Sequence, residues 1–224
     1  FWYLSYTHPH PPLVPLATYF ERYARKEIPS PLVSDWSDKS LSHFIEKVKS
    51  RWPKLSNGLI ADIRRAFYAL CTHIDAQIRV VIGTLREEKL LDNTIIMITS
   101  DHGDMLGDFG LFAKRLMYEG SVRVPMIVLG TKNDKVVSKG KVSKRLVGLA
   151  DVMPTLLHLA NIKIPKSCDG KSMFEDQQRN TFYAEANEGV NATRMVTDDN
   201  YKLVWYSDGN ILQLFDLKSD PNEL

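Results

Sequence analysis

The chain has 224 residues, enough for one domain or for one domain with a small appendage. Hydrophobic residues make up 44% and charged residues 25%, the balance of an ordinary globular protein. With 29 basic against 27 acidic residues, the formal net charge of +2 gives no reason to propose nucleic acid as a partner, and no apolar run approaches the roughly 20 residues of a membrane span.

Residues 1–7 are apolar and aromatic and read as a strand. A domain seldom opens inside a core strand, because termini lie at the surface, so the chain is expected to be a piece of something longer. Pro9, Pro11 and Pro12 then exclude helix or interior strand. Residues 13–58 are mixed, with a short helix near 39–50. The clearest element is a helix from about Asp62 to Lys89. Ile63, Ala66, Phe67, Leu70, Ile74, Ile78, Val81, Ile82 and Leu85 recur at steps of three and four and give it one buried face. Cys71 falls on its apolar side and reads as a buried core thiol; Cys168 sits in a polar loop.

Residues 94–99 read as a strand buried on both faces, the pattern of a parallel sheet. A glycine-rich loop covers 100–113, a short helix 114–121, a second buried strand 124–129, a solvated Lys-rich connection 131–145 and a helix about 148–160. After Gly170 the texture changes to short strands at 181–186, 193–198, 201–206 and 212–217, with a hairpin turn at Ser207-Asp208-Gly209-Asn210. The expected fold class is therefore α/β, with a division into a core over 1–170 and a small antiparallel subdomain over 171–224.

Three groups of residues can carry chemistry. Asp101 and His102 follow directly on the strand 94–99, and ligands of open parallel sheets bind beyond the carboxyl ends of strands. A carboxylate and an imidazole there can both reach one divalent ion, although a hard cation such as calcium wants six or more oxygen donors, so further ligands must come from elsewhere. His8 and His10 lie in a proline-stiffened segment, where an imidazole could bind an oxyanion or protonate a leaving group. Lys114 follows a glycine-rich loop and can set a point charge against a sulfate or phosphate. No residue reads as an activated nucleophile: there is no Gly-x-Ser-x-Gly elbow, Cys71 is expected to be buried in a helix, and Cys168 has no obvious base beside it.

The run Asn93 to Gly107, with Ser100-Asp101-His102-Gly103-Asp104 at its centre, resembles the C-terminal metal-binding motif of sulfatases, in the alkaline phosphatase superfamily. The likeness continues through Gly110-Leu111-Phe112-Ala113-Lys114 and Met117-Tyr118-Glu119-Gly120-Ser121-Val122-Arg123-Val124-Pro125. Thr7-His8-Pro9-His10-Pro11-Pro12 resembles the family's Pro-His-x-Pro segment, and 151–157 and 213–224 resemble its later landmarks, all in family order. A smaller departure is Phe109, where many relatives carry His. Thr-His-Pro-His combined with Asp-His-Gly-Asp-Met-Leu-Gly and Tyr-Glu-Gly-Ser is similar to choline-sulfatase-like members.

The resemblance implies an alkaline-phosphatase-like, mostly parallel sheet flanked by helices, with a small C-terminal antiparallel sheet. It implies that Asp101 and His102 are metal ligands, usually of Ca2+, and that His10 and Lys114 contact the sulfate in catalysis and substrate binding, with His8 as a further substrate-binding candidate. The implied reaction is hydrolysis of a small-molecule or carbohydrate sulfate ester by a formylglycine made from a Cys/Ser-x-Pro-x-Arg motif. That motif and the family's N-terminal Asp-Asp pair do not occur here, so the resemblance is to the C-terminal half, with the N-terminal half as its expected partner. Two other readings stand beside it: a phosphonate or phosphodiester hydrolase of the same superfamily, and a catalytically inactive fragment or binding module.

Overall fold

A computed structural model describes residues 1–37, 43–176, 179–198 and 200–224. In chain order the elements are α1 (Ala17–Ala24), α2 (His43–Ser50), α3 (Asn57–Glu87), β1 (Ile96–Thr99), α4 (Glu119–Val122), β2 (Met126–Leu129), α5 (Val152–Leu159), β3 (Phe182–Ala186), β4 (Thr193–Thr197), β5 (Tyr201–Tyr206) and β6 (Ile211–Asp216), with short 3-10 turns between. The expected helix near 39–50 is seen as α2 from His43, and positions 39–42 lie outside the described residues.

The long helix α3 begins at Asn57, five residues before its expected start at Asp62. Ser56 caps it, its hydroxyl accepting from the Leu59 N–H, which satisfies one of the free donors of the first turn. Ala66, Ala69 and Leu70 are buried along the stripe, but Cys71 is exposed, contrary to its expected place in the core. One position beyond Leu70 rotates the side chain by about 100° around the helix axis, enough to leave a narrow face. Helix α1, which composition did not reveal, packs on α3. The Tyr23 hydroxyl lies 2.6 Å from Thr72 Oγ1, and the Tyr19 ring stacks on His73 at 4.9 Å.

Strands β1 and β2 pair with each other, and they do so antiparallel, Ile96 opposite Leu129 and Thr99 opposite Met126. The parallel neighbour expected for 94–99 is not found among the described residues. A run of apolar residues fixes neither strand direction nor burial: β1 is half-buried with Thr99 exposed, and Ile127 and Leu129 of β2 are exposed, contrary to the burial expected for both strands. Residues 1–7 form no strand, and Phe1 is 98% exposed, because a strand needs a neighbour to take its backbone hydrogen bonds and none lies beside this segment among the described residues.

The four later strands appear where they were expected, within one residue at either end. They form a meander, β3-β4-β5-β6, antiparallel throughout. The inner side chains of this sheet, Met195, Val204, Tyr206 and Phe215, join Phe44, Ile45 and Val48 of α2 and Met105, Phe109, Leu111, Leu116, Met117 and Tyr118 of the loop after β1 in one core. Trp36 sits among the rings, 4.6 Å from Phe109 and 5.0 Å from Tyr118 between centroids. Phe109, the departure from the family's histidine, is a core residue here.

Candidate active site

The loop after β1 is clasped from within. Asp104 Oδ1 accepts from the N–H groups of both Leu106 and Ala113 at 3.0 Å, and Met105 N–H donates to Ala113 O at 2.9 Å. These bonds fold residues 104–113 back so that Lys114 returns beside the segment that carries His102. Gly103 fixes the other side: its N–H donates to Ser121 O at 2.8 Å. A Cβ at Gly103 would sit 2.1 Å from Gly120 O, so only glycine allows this approach. Lys114 lies between two residues in the left-handed region, Ala113 at φ 64° and Arg115 at φ 76°. Such conformations cost about 1–3 kcal/mol each when imposed on ordinary residues, and they persist here because Asp104 and the buried neighbours Phe112 and Leu116 fix the chain on both sides.

Four of the five residues singled out in the sequence converge. Lys114 Nζ lies 2.5 Å from His10 Nε2, and the His10 ring lies 6.0 Å from the His102 ring, edge to face. His102 Nε2 is 3.6 Å from Asp101 Oδ2. His8 is the exception. It is half-buried, its Nδ1 has no hydrogen-bond partner, and no contact joins it to the cluster among the described residues.

Hydrogen bonding sets the tautomers. His10 Nδ1 lies 2.8 Å from Pro11 O and His102 Nδ1 lies 2.7 Å from Gly103 O. A carbonyl only accepts, so each Nδ1 donates, and in the neutral ring the lone pair lies on Nε2. His10 Nε2 spends it on the Lys114 ammonium. His102 Nε2 faces the Asp101 carboxylate, which is 83% exposed. A neutral imidazole held by a backbone carbonyl through its second nitrogen is the arrangement of a metal-ligating histidine. Asp101 and His102 therefore fit as two ligands of one divalent ion. Among the described residues no group of three His, Cys, Asp or Glu could hold a metal, so these two cannot complete a coordination shell.

Sequence reasoning missed the frame behind the cluster. Arg64 of α3 is buried and donates to Leu106 O at 3.2 Å and to Asp108 Oδ1 at 3.0 Å, tying the long helix to the loop. Glu119, at the start of α4, accepts from Lys202 of β5 at 2.5 Å, and the same ammonium reaches Glu223 at 2.7 Å. Glu223 Oε2 accepts from the Glu119 N–H, and Trp36 Nε1 donates to Glu223 O. Lys202 and Glu223 are each 1% exposed. The only signal for this in the sequence was that Glu119 and Glu223 both lie in motifs whose order follows the family.

The family model described as Sulfatase matches residues 1–162, and the model described as N-sulphoglucosamine sulphohydrolase, C-terminal, matches residues 107–224. The chain belongs to the sulfatase family. An arylsulfatase of Clostridium perfringens (strain 13 / Type A) is 36% identical over 231 residues, a match that covers 99% of this chain and 47% of that protein. Among solved structures, the phosphonate monoester hydrolase of Silicibacter pomeroyi superposes with a TM-score of 0.84 at 24% identity, covering 95% of this chain and 48% of that one. A structure in complex with D-Glucosamine-2-N, 6-O-disulfate superposes with a TM-score of 0.78 at 22% identity, covering 96% of this chain and 58% of that one. These superpositions give the fold: the chain is α/β and alkaline-phosphatase-like, with the four-stranded antiparallel sheet attached. This sulfatase chain spans about half the length of the curated relative it matches.

Proposed function

We propose that this chain is the C-terminal portion of a sulfatase that hydrolyses sulfate esters, contributing His10, Lys114, Asp101 and His102 to a site completed by an N-terminal portion. The observation that carries the proposal is the convergence of these four side chains, drawn from the segments before α1 and after β1, into one cluster with defined tautomers. The 47% share of the arylsulfatase that is covered, and the absence of Cys/Ser-x-Pro-x-Arg from the sequence, support a nucleophile supplied by the N-terminal portion as formylglycine. The reading divides the chain into residues 1–170 of the α/β core and the antiparallel subdomain 171–224.

In this reading Asp101 and His102 hold a divalent cation, calcium by family likeness, together with ligands from the N-terminal portion. The cation supplies Lewis-acid stabilisation of sulfate charge. Lys114 offers its two remaining N–H donors and a full positive charge to sulfate oxygens, at a position fixed before substrate arrives. His10 is oriented by Pro11 O and orients Lys114 through Nε2, which sets both side chains beside the same sulfate oxygens. His8 is a further substrate-binding candidate, with its Nδ1 buried and without a hydrogen-bond partner. The substrate class is a small-molecule or carbohydrate sulfate ester; the neighbour bound to a glucosamine disulfate supports the carbohydrate arm.

The complete protein, with its formylglycine installed, is expected to hydrolyse aryl sulfates in a metal-dependent way, and the isolated 224-residue chain to be inactive. Turnover of a panel of aryl sulfates and aryl phosphonates is the test. No metal-dependent turnover of any sulfate ester sinks the proposal, and a strong phosphonate preference transfers it to the phosphonate or phosphodiester hydrolases of the same superfamily. Sulfatase turnover by the pure isolated chain defeats the two-portion site.

A further inference from the structure

A cavity of about 350 Å³ opens beside Lys114. One wall is the end of α2 and the residues after it, the second is the segment 112–115, and the third is the turn after β3. Its charge is one-sided. Lys47, Arg51 and Arg115 line it together with Lys114, against the single carboxylate of Glu188. None of the first three makes an ion pair among the described residues.

Two general effects account for part of this. Cations near the end of α2 complement the helix dipole, which covers Lys47. Solvation at an open surface tolerates any one of them. Neither effect explains the convergence. Lys47 and Arg51 stand four residues apart and line the same cavity, where like charges repel. Arg115 arrives from a separate segment, held in the left-handed region at φ 76° next to the lysine of the catalytic cluster. An anion in the cavity would relieve all of these repulsions together. Part of the lining is apolar: the Trp52 ring, 40% exposed, lies 5.2 Å from the buried Phe112 ring. An exposed indole of this kind suits the flat C–H face of a sugar.

We propose that this cavity is the subsite for the leaving group and that it selects a sugar carrying a second anionic group, a carboxylate or a further sulfate, beyond the ester that is cleaved. The inference rests on the sulfatase reading above, because Lys114 joins the cavity to the sulfate position. It also separates this chain from choline-sulfatase-like members in substrate: a quaternary ammonium would meet cations where it needs carboxylates or open ring faces.

The test uses the full-length protein with its formylglycine, and competition against turnover of 4-nitrophenyl sulfate. Two matched pairs of competitors differ only in the second anion: glucose 2-sulfate against glucuronate 2-sulfate, and N-acetylglucosamine 6-sulfate against N-sulfoglucosamine 6-sulfate. Choline sulfate is the cationic control. The doubly anionic member of at least one pair is expected to compete about tenfold more tightly than its partner, the scale of one charge-assisted hydrogen bond, and the pair that shows it identifies carboxylate or sulfate. Lys47→Ala and Arg51→Ala are expected to bring that ratio close to one, and unchanged thermal melting curves of both variants certify the fold. Equal competition within both pairs, a ratio that survives both substitutions, or choline sulfate as the tightest competitor overturns the inference. Absent turnover of 4-nitrophenyl sulfate itself is a different result, and it overturns the sulfatase reading beneath it.

Discussion

Lys114 Nζ meets His10 Nε2 at 2.5 Å, across 104 residues of sequence. The contact joins an ammonium to a neutral imidazole whose tautomer is set by Pro11 O, so each residue holds the other in place. Removing either should cost more than its own hydrogen bonds. Lys114→Met in the complete protein is expected to lower kcat/KM for an aryl sulfate by about 10²–10³-fold, the scale of one preorganised donor to a charged oxygen. His10→Ala should fall in the same range, and the double variant should lose much less than the product of the two. Steady-state kinetics on the three variants decides it; full additivity would mean that the two side chains act independently.

Asp101 and His102 predict a response to metal. Chelation is expected to abolish turnover and added calcium to restore it. Asp101→Asn should raise the calcium concentration needed for restoration by at least about tenfold, since altering even the partners behind a ligand costs about 10–100-fold in metal affinity. Titration of the chelated protein followed by activity and by metal content measures this. An unchanged calcium requirement in Asp101→Asn removes Asp101 from the ligand set.

The backbone approach at Gly103 predicts a variant that fails without touching a functional group. Gly103→Ala drives a Cβ to within 2.1 Å of Gly120 O, and backbone must move to relieve it. Overpacking of this kind costs about 1–3 kcal/mol. The shift falls on the segment between His102 and Asp104, so kcat/KM should drop together with the melting temperature. A variant with full activity and an unchanged melting curve would show that the approach of these two segments is loose.

How much of this was legible in the sequence depends on what each feature reports. The meander β3–β6 was readable because alternation and turn residues are local signals. The stripe of α3 was readable for the same reason, and its capped first turn was not, because Ser56 lies outside the stripe. The direction of β1 and β2 was not readable, since residues such as Ile96 and Ile127 carry no record of which way the neighbouring strand runs. His10, Lys114, Asp101 and His102 were found from motif chemistry and do converge, while His8 makes no contact with them. Arg64, Lys202 and Glu223 were missed. Nothing local distinguishes a buried charge from a solvated one when its partner lies 21 or 83 residues away, as the partners of Lys202 do.

Arg179 and Asp151 supply the prediction for pH. Burial works to raise the Asp151 carboxyl, and the Arg179 guanidinium with the N–H groups of Lys171 and Gly148 overrides it, holding the group below the usual carboxylate range. A carboxyl depressed in the folded state contributes stability that is complete above its unfolded value, about 3.9, and is lost as pH falls through the lowered folded value. Arg179→Ala should destabilise the complete protein by about 3 kcal/mol at pH 7, because it strands a carboxylate that is 1% exposed. Protonation of the stranded carboxyl removes that penalty, so the gap in melting temperature between wild type and variant should narrow as pH drops through the carboxylate range. Thermal melts at pH 7, 5 and 4 follow the gap; one that stays constant would mean that Asp151 is not the charge Arg179 serves.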